Sequence, residues 1–132
     1  GLLVASGAAP LARLLLLVFG IAFTVENLQD VRDIREDRAA GVVTLPNGLG
    51  AGRTACVLLA LQALAAALHC SLSRAAALPP RPELLLLHAC CGLCALSFRK
   101  DTPRSLFQVV LEPLYLAPLA ATAARTVLLS AP

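Results

Sequence analysis

Four carboxylates recur at helical intervals in one polar stretch, Glu26 to Gly50 (ENLQDVRDIREDRAAGVVTLPNGLG). They are Glu26, Asp30, Asp33 and Asp37, separated by four, three and four residues. On a helix these positions share one face. A row of like charges is unfavourable by itself and suggests that cations sit there. Oxygen-only donors select a hard ion, and Mg²⁺ fits best, being commonly held by one or two carboxylates together with the phosphate oxygens of a substrate. The stretch contains no His or Cys, which argues against zinc or copper. Arg32, Arg35 and Arg38 alternate with the acids, and a guanidinium such as that of Arg38 suits direct contact with a phosphate oxygen. A solvated helix with local ion pairs, such as Arg32 with Glu36, gives the same pattern. Spacing alone leaves both readings open.

The elements that must carry this row are apolar. The chain has 132 residues, of which 58% are hydrophobic and 14% charged, and its mean hydropathy is +0.80. A soluble domain usually carries about 25% charged residues. A chain this small would struggle to bury so much apolar surface in water, whereas a bilayer solvates it. The net charge of +3 is modest, and no basic stripe interleaves with aromatics, so nucleic acid is not an expected partner. Four apolar segments follow one another: about Leu11 to Asn27, Thr54 to Leu72, Glu83 to Phe98 and Ser105 to Ser130. About 20 apolar residues cross the hydrocarbon core as a helix. The second and fourth segments meet that length and the other two lie near its lower limit. Period-2 alternation is missing, which excludes a β-barrel reading.

The sequence therefore predicts an all-α, polytopic transmembrane bundle of about four helices. Pro10 suits a first helical turn, and Pro79, Pro80 and Pro82 stop a helix firmly. Residues 28–53 are expected to form a long polar loop. This loop and the third one hold Arg32, Arg35, Arg38, Arg53, Arg99, Lys100 and Arg104, against Arg74 and Arg81, with Arg13 and Arg125, on the other side. That excess places the Asp-rich loop on the cytosolic, stromal or matrix side of an integral, multi-pass protein. The chain opens on Gly1 directly before an apolar stretch, and it is read as a fragment of a longer protein.

Several other residues invite a chemical reading. Glu112 lies in the fourth segment beside Pro113, and an intramembrane acid is a site candidate; a hydrated position near the surface is the alternative. Pro113 and Pro118 should kink that helix. Tyr115 reads as an interfacial anchor more than as a pocket residue, and His69 as structural. Cys91-x-x-Cys94, with Cys90 and His88 close by, formally matches a redox or metal pair. It sits in apolar helix without a second pair at zinc-site spacing, so buried free thiols are expected.

The whole string Asp30-x-x-Asp33-x-x-x-Asp37-Arg38-x-x-Gly41-x-x-Thr44-Leu45-Pro46, ending in Leu49-Gly50, resembles the second Asp-rich motif of the UbiA superfamily of intramembrane prenyltransferases. The resemblance covers about twenty residues, with Gln29 standing where many members have Lys and Glu36 replacing a frequent Gly. It implies a nine-helix bundle of which residues 1–132 would supply helices six to nine. Asp30, Asp33 and Asp37 would be Mg²⁺ ligands, Arg38 a diphosphate contact, and Glu26 and Glu112 possible additions. The implied reaction is Mg²⁺-dependent transfer of a prenyl group from a polyprenyl diphosphate donor to an aromatic or other lipophilic acceptor in the bilayer. A first Asp-rich motif, absent from these residues, would be needed for turnover. The carboxylates would act as ligands, so no catalytic nucleophile or base is assigned. A terpene cyclase of the same superfamily, or a non-catalytic scaffold or degenerate paralogue, is the alternative.

Overall fold

The long first helix is the element on which the rest is organised. In the computed structural model, which describes residues 2–79 and 81–130, α1 runs Leu2–Ala40, α2 Leu45–Leu49, α3 Ala51–Ala75, α4 Pro82–Ser97 and α5 Arg104–Leu106. A π-helical turn at Phe107–Leu111 then leads into α6, Glu112–Ser130. Every described element is helical. Pro80, expected to help stop α3, lies outside the described residues, as does the side chain of Arg125.

Two expectations are corrected here. Pro10 lies inside α1, not in its first turn, because the helix begins at Leu2; proline is tolerated within helices of this kind when neighbouring groups re-satisfy the freed carbonyl. Residues 28–53 are not a loop. α1 continues unbroken through Ala40, and only a short return containing α2 separates it from α3. Leu, Ala, Arg, Gln and Glu are all good helix formers, and nothing between Leu28 and Ala40 breaks a helix. At 39 residues and 1.5 Å per residue, α1 is about 58 Å long. A hydrocarbon core is about 30 Å thick, so the polar end projects well beyond the apolar part.

Two helices, α1 from Ala8 to Ala40 and α3, are long and apolar enough to cross a membrane, and α4 is apolar but shorter. The fourth apolar segment is helical without a gap from Arg104 to Ser130, but its ladder widens to a π turn between α5 and α6, with Pro113 as the second residue after that turn. A π turn absorbs an extra residue where the regular ladder is interrupted.

The core follows α1. Leu17, Ile21, Val25 and Leu28 recur at four, four and three residues and are buried against Leu58 of α3, Leu84, Cys91 and Ala95 of α4, and Phe107 and Leu111 of the π turn. Between helices in lipid, close fit and polar contacts specify the packing more than apolar burial does. Both are present. Gly20 admits Gln62 so closely that a Cβ there would lie 3.3 Å from Nε2. Gln62 Nε2 donates to the Gly20 carbonyl at 2.7 Å and to Thr24 Oγ1 at 2.8 Å. That orientation leaves Gln62 Oε1 to accept from His88 Nδ1 at 2.7 Å. Nearer the far end of α3, Arg13 Nε donates to His69 Nε2 at 3.3 Å, and the His69 and His88 rings meet edge to face at 6.1 Å. A buried polar column therefore joins α1, α3 and α4. All five cysteines are free; Cys91 is buried, whereas Cys56 is exposed.

Candidate functional site

The acid row is held by the protruding end of α1 and by the turn that closes it. Val42 N–H donates to the Asp37 carbonyl at 2.9 Å and Gly41 N–H to the Arg38 carbonyl at 3.3 Å, the paired bonds of a Schellman ending. This ending needs a left-handed residue, and Gly41 supplies it at φ +71°. Thr44 then caps α2, its Oγ1 accepting from Asn47 N–H at 3.4 Å, and Pro46 is buried in the first turn. Asn47 Nδ2 donates back to the Val42 carbonyl at 2.9 Å, and Arg38 Nη2 donates to the Asn47 carbonyl at 3.3 Å. The residues Asp37-Arg38, Gly41 and Thr44-Leu45-Pro46 thus build one folded return, which fixes where the acid-bearing helix ends.

Along that helix Asp30, Asp33 and Asp37 are partly exposed and Glu26 is exposed. Their environments differ. Asp30 has its carboxyl pushed above the usual carboxylate value, by burial first and then by the charges of Asp37, Glu26 and Asp33. Asp33 is held below it, chiefly by hydrogen bonding to Arg32. Arg32 Nε donates to Asp33 Oδ1 at 2.5 Å and Nη2 to Oδ2, a two-pronged ion pair. The same guanidinium lies 5.3 Å from the centre of the Phe107 ring, so the pair is braced from the π turn.

Among the described residues no three His, Cys, Asp or Glu side chains draw together closely enough to hold a metal by themselves. The observed donor set nevertheless suits Mg²⁺. It is all oxygen and sits beyond the apolar part of the helix, where burial and then the neighbouring acids push the Asp30 carboxyl up. Mg²⁺ needs only one or two carboxylates when phosphate and water complete its shell.

Arg38 is exposed and is committed in part to the Asn47 carbonyl. It also lines, with Arg32, Arg35, Glu36 and Lys100, a cavity of about 560 Å³ at this end of the bundle. Lys100 enters from the loop after α4, a contribution that spacing within α1 does not reveal. Glu112 is exposed at the head of α6. Tyr115, one turn further on, donates its hydroxyl to Glu26 Oε1 at 2.5 Å. The anchor reading of Tyr115 missed this pairing. The partners stand 89 positions apart, so no local spacing announces the pair.

A family model described as VviA prenyltransferase matches residues 5–94, from α1 through most of α4, and so includes the entire acid row and its closing turn. No curated protein and no solved structure matches the chain. The matched region covers more than half of the 132 residues and is consistent with the UbiA-like resemblance of the acidic string. The chain belongs to the VviA prenyltransferase family, and with that to the transferases that pass a prenyl group from a donor to an acceptor.

Proposed function

We propose that the chain is part of a polytopic membrane enzyme that transfers a prenyl group from a polyprenyl diphosphate to an aromatic or other lipophilic acceptor, with Mg²⁺ as cofactor. In this proposal the chain supplies helices six to nine of a nine-helix bundle. The acid end faces the cytosol, stroma or matrix, and the first Asp-rich motif lies elsewhere in the protein. The observation that carries the proposal is the row Asp30, Asp33 and Asp37 on the helical extension of α1, where burial and then the neighbouring acids disfavour the Asp30 anion.

Asp30, Asp33 and Asp37 would hold Mg²⁺, which when bound neutralises charge gathering on the departing diphosphate. The chain's own residues set the conditions for this. α1 carries the ligands past the apolar zone, so the charged head stays at the surface while the isoprenoid tail lies among the helices. Allylic C–O cleavage leaves a carbocation that must be kept from water until the acceptor attacks, and an apolar bundle provides that shelter. Arg38, with Arg35 and Lys100 around the neighbouring cavity, adds positive potential near the leaving group. Tyr115 holds Glu26 at the mouth between head and tail, which favours a site role for Glu26 as an outer member of the row.

The test uses the full-length protein in nanodiscs with a radiolabelled polyprenyl diphosphate and an aromatic acceptor. Asp33→Ala and Asp37→Ala are expected to abolish Mg²⁺-dependent transfer while membrane insertion persists. Wild-type turnover in both variants would refute the assignment. Cyclised product without acceptor transfer would select the terpene-cyclase alternative, and no turnover by the wild type with any acceptor would favour a scaffold.

A further inference from the structure

At the end of α3 remote from the acid row, the chain turns back toward α4. From Ala51 to His69 along α3 is about 27 Å, so this region lies roughly a bilayer core away from the Asp-bearing end. A cavity of about 460 Å³ opens there, lined by His69, Ser73 and Arg74 of α3 and by Leu78, Arg81 and Leu85 across the turn.

The polar atoms of this cavity are mainly donors. His69 is 2% exposed. Its Nε2 takes a hydrogen bond from Arg13 Nε at 3.3 Å. A guanidinium can only donate, so Nε2 is the accepting nitrogen and Nδ1 carries the proton. That Nδ1–H is buried and has no partner among the described residues. Arg81 Nη2 is likewise buried without a partner among them, while its Nε is fixed by Glu83 Oε1 at 2.7 Å. Ser73 spends its hydroxyl proton on the His69 carbonyl at 2.7 Å. Arg74 adds a second cation from the exposed rim. Buried donors left unmatched are costly. Both belong to residues that line one cavity, where Arg74 and Arg81 outweigh the single Glu83 that Arg81 binds, a setting that suits an anionic acceptor with several oxygens.

We propose that this cavity binds a phosphate oxyanion, presented either by the headgroup of an anionic phospholipid in the leaflet opposite the acid row or by free phosphate. His69 Nδ1–H and Arg81 Nη2 donate to the oxygens from the buried side, and Arg74 closes over them from the rim. The phosphate chemistry rests on the donors alone. The lipid source rests also on the membrane reading.

The experiment places the full-length protein in phosphatidylcholine nanodiscs with or without phosphatidylglycerol and counts retained lipid by native mass spectrometry. A parallel arm titrates inorganic phosphate into phosphatidylcholine discs. One phosphatidylglycerol per protein is expected to survive gentle ejection, with retention falling at least tenfold in Arg81→Gln. Phosphate binding without phosphatidylglycerol retention assigns the site to the free ion. Arg74→Gln, at an exposed position, serves as second variant should Arg81→Gln fail to fold, and is expected to weaken retention at least threefold. Asp33→Ala should retain the lipid like wild type, which separates this site from the acid row. The proposal is overturned if neither ligand binds above the phosphatidylcholine background, or if Arg81→Gln, or Arg74→Gln in its place, binds like wild type.

Discussion

Removing one charge from the acid row should make the cation-free protein more stable, and Asp30→Asn is the substitution that shows it best. Asn keeps the shape of the side chain and discards its charge. Asp30 faces Glu26 four residues before it, Asp33 three after it and Asp37 a further turn on, and all three raise its carboxyl, together with burial, which contributes most. Like-charge pairs one turn apart on a helix cost about 0.2–0.5 kcal/mol each, so relief of the two such contacts, with Glu26 and Asp33, amounts to about 0.4–1 kcal/mol, to which the more distant Asp37 adds little. For a domain of this size that raises Tm by about 2–4 °C. The sign with pH follows from the raised native value. The penalty is absent below the ordinary carboxylate value of 3.8, grows as pH rises toward the raised value in the fold, and is complete above it. Asp33 behaves oppositely: its carboxyl is depressed by Arg32, so its contribution is present above the ordinary value and is lost as pH falls through the depressed one. The assay is thermal unfolding in detergent at low ionic strength with chelator, at pH 7 and at pH 4. Asp30→Asn is expected to unfold a few degrees above wild type at pH 7, with the gap closing at pH 4, and Mg²⁺ should stabilise wild type more than the variant. An Asp30→Asn protein less stable than wild type at pH 7 would overturn this expectation, because it would make Asp30 part of a structural ion-pair network.

Two further perturbations test the scaffold. Gln62→Leu removes three buried hydrogen bonds, to Gly20, Thr24 and His88; at about 0.6 kcal/mol apiece in membrane bundles, a loss of about 2 kcal/mol is expected in a steric-trapping measurement in bicelles, and an unchanged value would contradict the polar-column description. Ala77 sits at φ +49° where α3 ends, with Leu78 N–H on the Ser73 carbonyl and Ala77 N–H on that of Arg74; Ala77→Gly removes the Cβ penalty of that conformation, and a gain of about 1 kcal/mol in the same measurement is expected.

The acid row was legible because it is a local pattern. Positions 26, 30, 33 and 37 share a face on any helix, and the Gly41 and Thr44-Leu45-Pro46 spacing encodes a helix stop and a new cap within a few residues. The helical state of residues 28–40 was hidden by their polarity. A charged stretch beside an apolar one reads as a loop when the bilayer boundary is taken as the helix boundary, yet α1 needs no break there. The π turn inside the last apolar helix was only half legible: Pro113 announces an irregular ladder but not its form. Contacts between distant residues were not legible at all. Tyr115 meets Glu26 across 89 positions, and Gln62, His69 and His88, single polar residues in apolar windows, find their partners only where α1, α3 and α4 come together. Their signal is that polarity itself: a lone Gln or His in such a window needs a partner from another helix. Cys91-x-x-Cys94 gave the opposite lesson, since its spacing suggests chemistry while its place in the α4 core leaves the thiols unpaired.

The α1 acids are proposed to grip a diphosphate through Mg²⁺. Titration of a non-hydrolysable prenyl thiodiphosphate into the full-length protein in nanodiscs addresses it without depending on the acceptor. Saturable uptake that requires Mg²⁺, disappears with chelator and is lost in Asp37→Ala is the expected result. Uptake of equal affinity with and without Mg²⁺, or retained in full by Asp37→Ala, would contradict it.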